Sequence, residues 1–230
     1  MNSAPHIIKD FDLALAELKN DVLTMAAKTR HNLERAIQAL LGRDAELSNS
    51  VIADDDEVDE LERVIDKAGM SLLVKYHPMA SDLRFVVSSM KISMNLERIS
   101  DHATNIAKRA KKIIATAELI DVTLVEPVYT LADELLRDAI SSFSDGNGVL
   151  GASLHVRDKE LDKLYKAATA QFGDRIEDTQ GRSQEYVHLI FIVRSLERVG
   201  DLASNIGEDS VYLDRAKDIR HMSRGERELT

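Results

Sequence analysis

Apolar residues recur along this chain at intervals of three and four, the spacing that places them on one face of an α-helix. Projected at about 100° per residue, Leu96, Ile99, Ala103 and Ile106 form one stripe, with Glu97, Asp101 and Asn105 opposite. One or two turns earlier the acid-bearing side carries Val87, Met90 and Met94, and a second such helix has Val187 and Ile190 there. Both helices therefore read as buried on two sides. The breaks in the pattern coincide with Pro and Gly, which are tolerated between helices or in a first turn but not in an interior. A first helix is predicted from Ile7 to Leu41, stopped by Gly42, and a second from Asp44 to Tyr76, ended by His77-Pro78. A third runs from Ser81 to Ala115. Pro127 opens a fourth, closed by the turn Asp145-Gly146-Asn147-Gly148; a fifth covers Gly151 to Phe172, and a sixth Ser183 to Lys217 after a polar segment over 173–181. The expected fold is all-α, with six helices.

The helices repeat. Leu96-Glu97-Arg98-Ile99-Ser100-Asp101 returns as Leu196-Glu197-Arg198-Val199-Gly200-Asp201, and Asp55-Asp56-Glu57-Val58-Asp59 resembles Asp158-Lys159-Glu160-Leu161-Asp162. The third helix thus matches the sixth, and the second matches the fifth. This predicts two tandem three-helix bundles, over 1–118 and 119–230, each up-down-up because short links make successive helices antiparallel neighbours.

Composition narrows the function classes. Hydrophobic residues make up 44% of the chain, enough for a core, while aromatics at 4% and charged residues at 30% suit helices better than strands. The net charge of -10 argues against nucleic acid, whose affinity comes mainly from neutralising phosphates with Lys and Arg. With no cysteine there is no disulfide, thiolate metal site or Cys nucleophile. The N-terminal residues lack the pattern of a leader, and the longest apolar run, Leu189 to Val193, is too short to insert in a bilayer. A soluble, cytoplasmic protein is expected.

The acids carry the chemistry. Glu97 with Asp101, and Glu197 with Asp201, stand four residues apart, which stacks both carboxylates on one helix face roughly 6 Å apart along the axis. Asp55 with Asp59, and Asp158 with Asp162, repeat the spacing on the preceding helix. Like charges so placed repel, and packing the two helices together would add to it. A multivalent cation would offset this, since carboxylate oxygens from adjacent helices suit hard metals. A solvated acidic face is the alternative in a chain with 40 Asp and Glu. His102 next to Asp101 could ligate, but its copy is Leu202, so a packed or exposed histidine fits it better. Arg98 and Arg198 read as partners in ion pairs across helices. Asn105 and Asn205 extend the acid stripe by one turn, for a carboxylate, a metal-bound water or an interhelical hydrogen bond. Lys108, Arg109, Lys111 and Lys112 complement a helix C-terminus.

The doubled Leu-Glu-Arg-[Ile/Val]-x-Asp segments, with Tyr76-His77-Pro78-Met79-Ala80-Ser81-Asp82-Leu83-Arg84 before the third helix, resemble the PhoU family over nearly the whole chain. The resemblance implies two three-helix bundles, a homodimer, and metal clusters held by paired E(D)xxxD motifs. Those fall here on Asp55, Asp59, Glu97 and Asp101, and on Asp158, Asp162, Glu197 and Asp201. The implied metal is iron, manganese, magnesium or zinc. The implied role is negative regulation of the phosphate-starvation response and of phosphate uptake, by contact with the ATPase subunit of the phosphate ABC transporter and a membrane sensor histidine kinase. The second unit departs from the pattern: Arg182-Ser183-Gln184-Glu185 replaces Ser81-Asp82-Leu83-Arg84, and Asp158, the upstream acid of its fifth-helix pair, sits amid Lys159 and Lys163.

Two other classes compete with this reading. A di-metal oxidase would need Glu-x-x-His on each of two helices, and only Glu185 with His188 has that spacing. With no Gly-rich phosphate loop and no nucleophile beside a base, no enzyme is expected. A structural bundle with solvated acids is the other rival, and metal content separates it from the regulator.

Overall fold

Helix punctuation in the sequence maps onto the fold with one break and two extensions. The computed structural model describes residues 9–117, 119–178 and 181–219. Among these the helices are α1 (Lys9–Gly42), α2 (Ala45–Ala53), α3 (Asp55–Tyr76), α4 (Ala80–Ile114), α5 (Glu126–Ser144), α6 (Gly148–Asp178) and α7 (Ser183–Arg215). A short 3₁₀ turn, Ile120–Val125, precedes α5, and no strand occurs among the described residues. The first residues assigned to the first helix, Ile7 and Ile8, lie outside the described residues.

The predicted second helix is divided at Asp54. Four consecutive acids, Asp54 to Glu57, suit a helix start rather than an interior, and Asp54 opens α3 by accepting the Glu57 amide at 3.2 Å. Arg35 of α1 holds the break by pairing with Asp54. Its counterpart α6 runs unbroken and continues through Gly173, where the sequence suggested a loop. A mid-helix Gly costs about 1 kcal/mol relative to Ala. Fully buried Phe172, and Ile176 packed on the core one turn later, offset that cost. At the other end Asn147 caps α6, its Oδ1 accepting the Leu150 amide at 3.0 Å, so the helix starts at Gly148 rather than at Gly151.

Two clusters of packed helices result, α1/α3/α4 and α5/α6/α7, with α2 leaning on α1 and α4. This is the duplicated three-helix bundle. The stripe Leu96, Ile99, Ala103 and Ile106 is fully buried, as are Leu18, Val22, Met25, Leu33 and Leu196. The two units meet mainly along α4 and α7. Arg84 Nε donates to Leu213 O at 3.4 Å, Lys91 Nζ meets Asp209 Oδ1 at 3.3 Å, and Arg109 Nη1 lies 3.3 Å from His188 Nδ1. Rising numbers on α4 therefore meet falling numbers on α7, so the pair is antiparallel and a pseudo-two-fold passes near Ile99 and Val199. Arg30 of α1 adds a bidentate clamp on Asp133 of α5, at 2.7 and 2.8 Å.

In the second unit α6 and α7 approach backbone to backbone. A Cβ built on Gly151 would lie 2.4 Å from the Gly207 carbonyl oxygen. The equivalent positions of the first unit hold Ser48 and Ala107, both fully buried and both small.

Candidate metal centre

Each pair of acid-bearing helices packs so that its carboxylates feel one another. In the first unit, burial between α3 and α4 raises the Glu97 carboxyl to about 7, and the charges of Asp101, Glu62, Asp59 and Asp55 add to the shift. Asp59 is raised by burial and then by Asp55 and Asp101, while Asp101 is raised by burial and then by Asp55. In the second unit, burial raises Asp158 to about 6, with Asp201, Glu197 and Asp162 contributing. Glu197 is raised by burial and then by Asp201. Each predicted quartet thus shares one field, at equivalent places on either side of the α4–α7 pair.

Two participants escaped the sequence reading. Glu62 stands three residues after Asp59, a helical spacing that could have flagged it, and the repeat puts Tyr165 in its place. Ser100 donates a 2.8 Å hydrogen bond to Asp55 Oδ1, fixing that carboxylate from α4. Its counterpart Gly200 leaves room instead: a Cβ there would stand 2.2 Å from Leu161 Cδ2 and 3.3 Å from Asp158 Oδ1. Ser100 thus holds the first acid of its quartet by a hydrogen bond, whereas Gly200 gives way to Leu161 and offers Asp158 no side-chain donor.

The units differ in compensation. Arg198 reaches Asp201 at 2.7 Å and Glu197 at 3.0 Å, both on its own helix, so the expected pairing across helices is replaced by an intrahelical fork. Lys166 adds a 2.6 Å contact to Asp162. Even so, Glu197 Oε2 is buried without a hydrogen bond, since Arg198 Nε approaches it off the hydrogen-bonding direction. His102 Nδ1 is likewise buried without a hydrogen bond. Burial, then Arg98 and Arg198, lower the His102 pKa. Asn105 and Asn205 are exposed. Glu185 and His188 lie at the far end of α7, where His188 meets Arg109, so they share no site with the carboxylates.

Among the described residues, no group of three or more His, Asp or Glu side chains is already arranged to hold a metal ion. The donors nevertheless suit one. They are hard oxygens on two facing helices, several are held uncomfortably as anions, and one buried oxygen lacks a donor.

Comparison with known proteins gives the same architecture. A family model described as "PhoU domain" matches residues 22–110 and again 126–210. A "Phosphate-specific transport system accessory protein PhoU homolog" of Pseudomonas putida is 33% identical over 94% of this chain and 85% of its own. One from Caulobacter vibrioides is 31% identical over 88% of this chain and 89% of its own. The crystal structure of PhoU from Pseudomonas aeruginosa superposes with a TM-score of 0.86 at 29% identity, covering 90% of this chain and all of that one. The phosphate transport system regulatory protein PhoU from Streptococcus pneumoniae gives 0.83 at 28% identity, covering 90% of this chain and 98% of that one. Two copies of one domain, the duplicated bundle and the full-length matches leave a single assignment: the chain belongs to the PhoU family, whose members are regulators rather than enzymes.

Proposed function

We propose that this protein is a cytoplasmic negative regulator of phosphate uptake and of the phosphate-starvation response. It acts by contact between the ATPase subunit of a phosphate ABC transporter and a membrane sensor histidine kinase, and it works as a homodimer. The observation that carries the reading is the pair of carboxylate quartets at equivalent positions of a duplicated bundle in a chain of this family. No described helix is long and apolar enough to cross a membrane, which suits a protein recruited to membrane machinery by other proteins.

The metal belongs to the same proposal. Asp55, Asp59, Glu97 and Asp101 would hold one set of iron, manganese, magnesium or zinc ions, and Asp158, Asp162, Glu197 and Asp201 a second. A bound cation supplies positive charge between helices that otherwise repel. The chain's own residues orient the donors: Ser100 fixes Asp55, and Arg198 holds Glu197 and Asp201 against one guanidinium. Because Arg198 and Lys166 already offset part of the second quartet's charge, the first binds more tightly.

A deletion strain tests the regulatory reading. Phosphate-starvation genes should be expressed in rich phosphate without this protein; continued repression would remove the assignment. Elemental analysis tests the metal. Glu97→Gln with Asp101→Asn should lower metal content, and unchanged stoichiometry would exclude both as ligands.

A further inference from the structure

The two ends of the α4–α7 pair are equivalent by duplication, but their chemistry has diverged. Toward its C-terminus α4 carries Lys108, Arg109, Lys111 and Lys112, where the repeat gives α7 Glu208, Asp209, Val211 and Tyr212. Arg194 of α7 likewise stands where α4 has Met94. One end is strongly basic in a chain of net charge -10, and the other is not. Lys111 and Lys112 fall in the last turn of α4 and complement its dipole. That account does not extend to Arg194, which projects from the N-terminal half of α7.

At the non-basic end Asp209 is buried and meets Lys91, which closes the seam. At the basic end the surface stays open. The Arg109 guanidinium lies 4.0 Å from the Phe191 ring centroid and beside His188, which leaves Phe191 38% exposed and Val187 40% exposed. Lys112 lines one cleft with Val187 and His188, and Arg194 follows Phe191 by one helical turn and also acts on Glu197. Both are exposed, as is Lys108, whose charge acts on Asp101. A cleft of ≈ 840 Å³ opens between the last turns of α4 and the first turns of α7, lined by Lys112, Thr116, Gln184, Val187 and His188. Glu185 also lines it, buried and 3.8 Å from Arg182.

We propose that this basic end is a docking site for an acidic amphipathic helix of a partner protein. Apolar side chains of that helix seat against Val187 and Phe191, and its carboxylates meet Lys112 and Arg194. A groove between two packed helices accepts a third through anchors at three- and four-residue spacing. Charge complementarity fixes the sign of the occupant. The exposed aromatic and valine favour an amphipathic helix over a phosphate polymer or the headgroups of an anionic bilayer, which present no apolar side chains at helical spacing to seat against them. The inference rests on the reading of the protein as a contact regulator, and it adds where contact is made and by what chemistry.

The test uses the full chain, a Lys112→Glu/Arg194→Glu variant, a Phe191→Ala variant, and a Lys67→Glu/Lys75→Glu control with the same change in charge. Fold is checked by circular dichroism. Binding is measured to the purified transporter ATPase subunit, to the cytoplasmic portion of the sensor kinase, and to a Leu/Glu amphipathic peptide of about 20 residues with its Leu/Lys counterpart. The site variants should weaken binding of at least one protein and of the acidic peptide by about tenfold or more, with the control unchanged. Equal loss in the control, equal binding of both peptides, or site variants that bind like wild type would overturn the proposal. So would binding to phosphatidylglycerol vesicles, lost in the site variants, with no binding of the acidic peptide. If wild type binds neither protein, the contact-regulator reading fails, and the peptide arm alone decides whether this surface accepts an acidic helix.

Discussion

Replacing Glu97 by Gln tests the electrostatics of the candidate centre most directly, because the substitution keeps shape and removes charge. In the folded protein the Glu97 carboxyl titrates at about 7 against an ordinary 4.5, first because it is buried and second because Asp101, Glu62, Asp59 and Asp55 surround it. Between these values the unfolded chain ionises first. Ionisation therefore penalises the fold: stability is fully present below about pH 4.5 and falls as pH rises through about 7. At 1.36 kcal/mol per unit the shift corresponds to roughly 3 kcal/mol, but Glu97 is only partly shielded from solvent, and screening leaves about 1–2 kcal/mol. For a chain of this size that is roughly 3–6 °C in Tm. In chelator, Glu97→Gln should melt higher than wild type by that amount near pH 8 and at about the same temperature near pH 5. Added manganese should raise the wild-type Tm near pH 8 more than that of the variant. An equal difference at both pH values, or a lower melting temperature for the variant near pH 8, would refute the reasoning.

Packing and ion pairing give further expectations. Gly151→Ala drives a Cβ to within 2.4 Å of the Gly207 carbonyl oxygen, a backbone atom that cannot swing aside, so denaturant unfolding should show a loss of roughly 1–3 kcal/mol. Gly42→Ala, which meets nothing within 4 Å, should be neutral or stabilising by up to about 1 kcal/mol. Arg30→Ala removes the bidentate partner of Asp133 and should cost about 1–2 kcal/mol, with a double-mutant cycle against Asp133→Ala recovering most of it as coupling. Asp158→Asn should mirror Glu97→Gln in the second unit, with its stabilisation in chelator developing between about pH 4 and 6 and levelling off above.

Much of this protein is legible without coordinates because helix signals are local. Pro127 sits in the first turn of α5, His77-Pro78 ends α3, and Leu96, Ile99, Ala103 and Ile106 are buried as their spacing requires. The duplication and the i, i+4 acid pairs are likewise properties of one segment at a time, so the eight candidate carboxylates could be named from the sequence. Register between helices is not local. Which side of α3 meets α4 decided that Glu62 joins the first quartet and that Ser100 holds Asp55. The same limit explains the helix ends. At Gly173 the sequence suggests a break, yet burial of Phe172 carries α6 across it; over Asp54 to Glu57 the periodicity predicts one continuous helix, yet the chain breaks there and Arg35 holds the break. The antiparallel seating of α4 on α7, which gathers Arg109, His188 and Phe191 from nearly 80 residues apart, was likewise settled by long-range packing. Periodicity says which face of a helix seeks burial, but only packing against a partner helix fixes what that face meets.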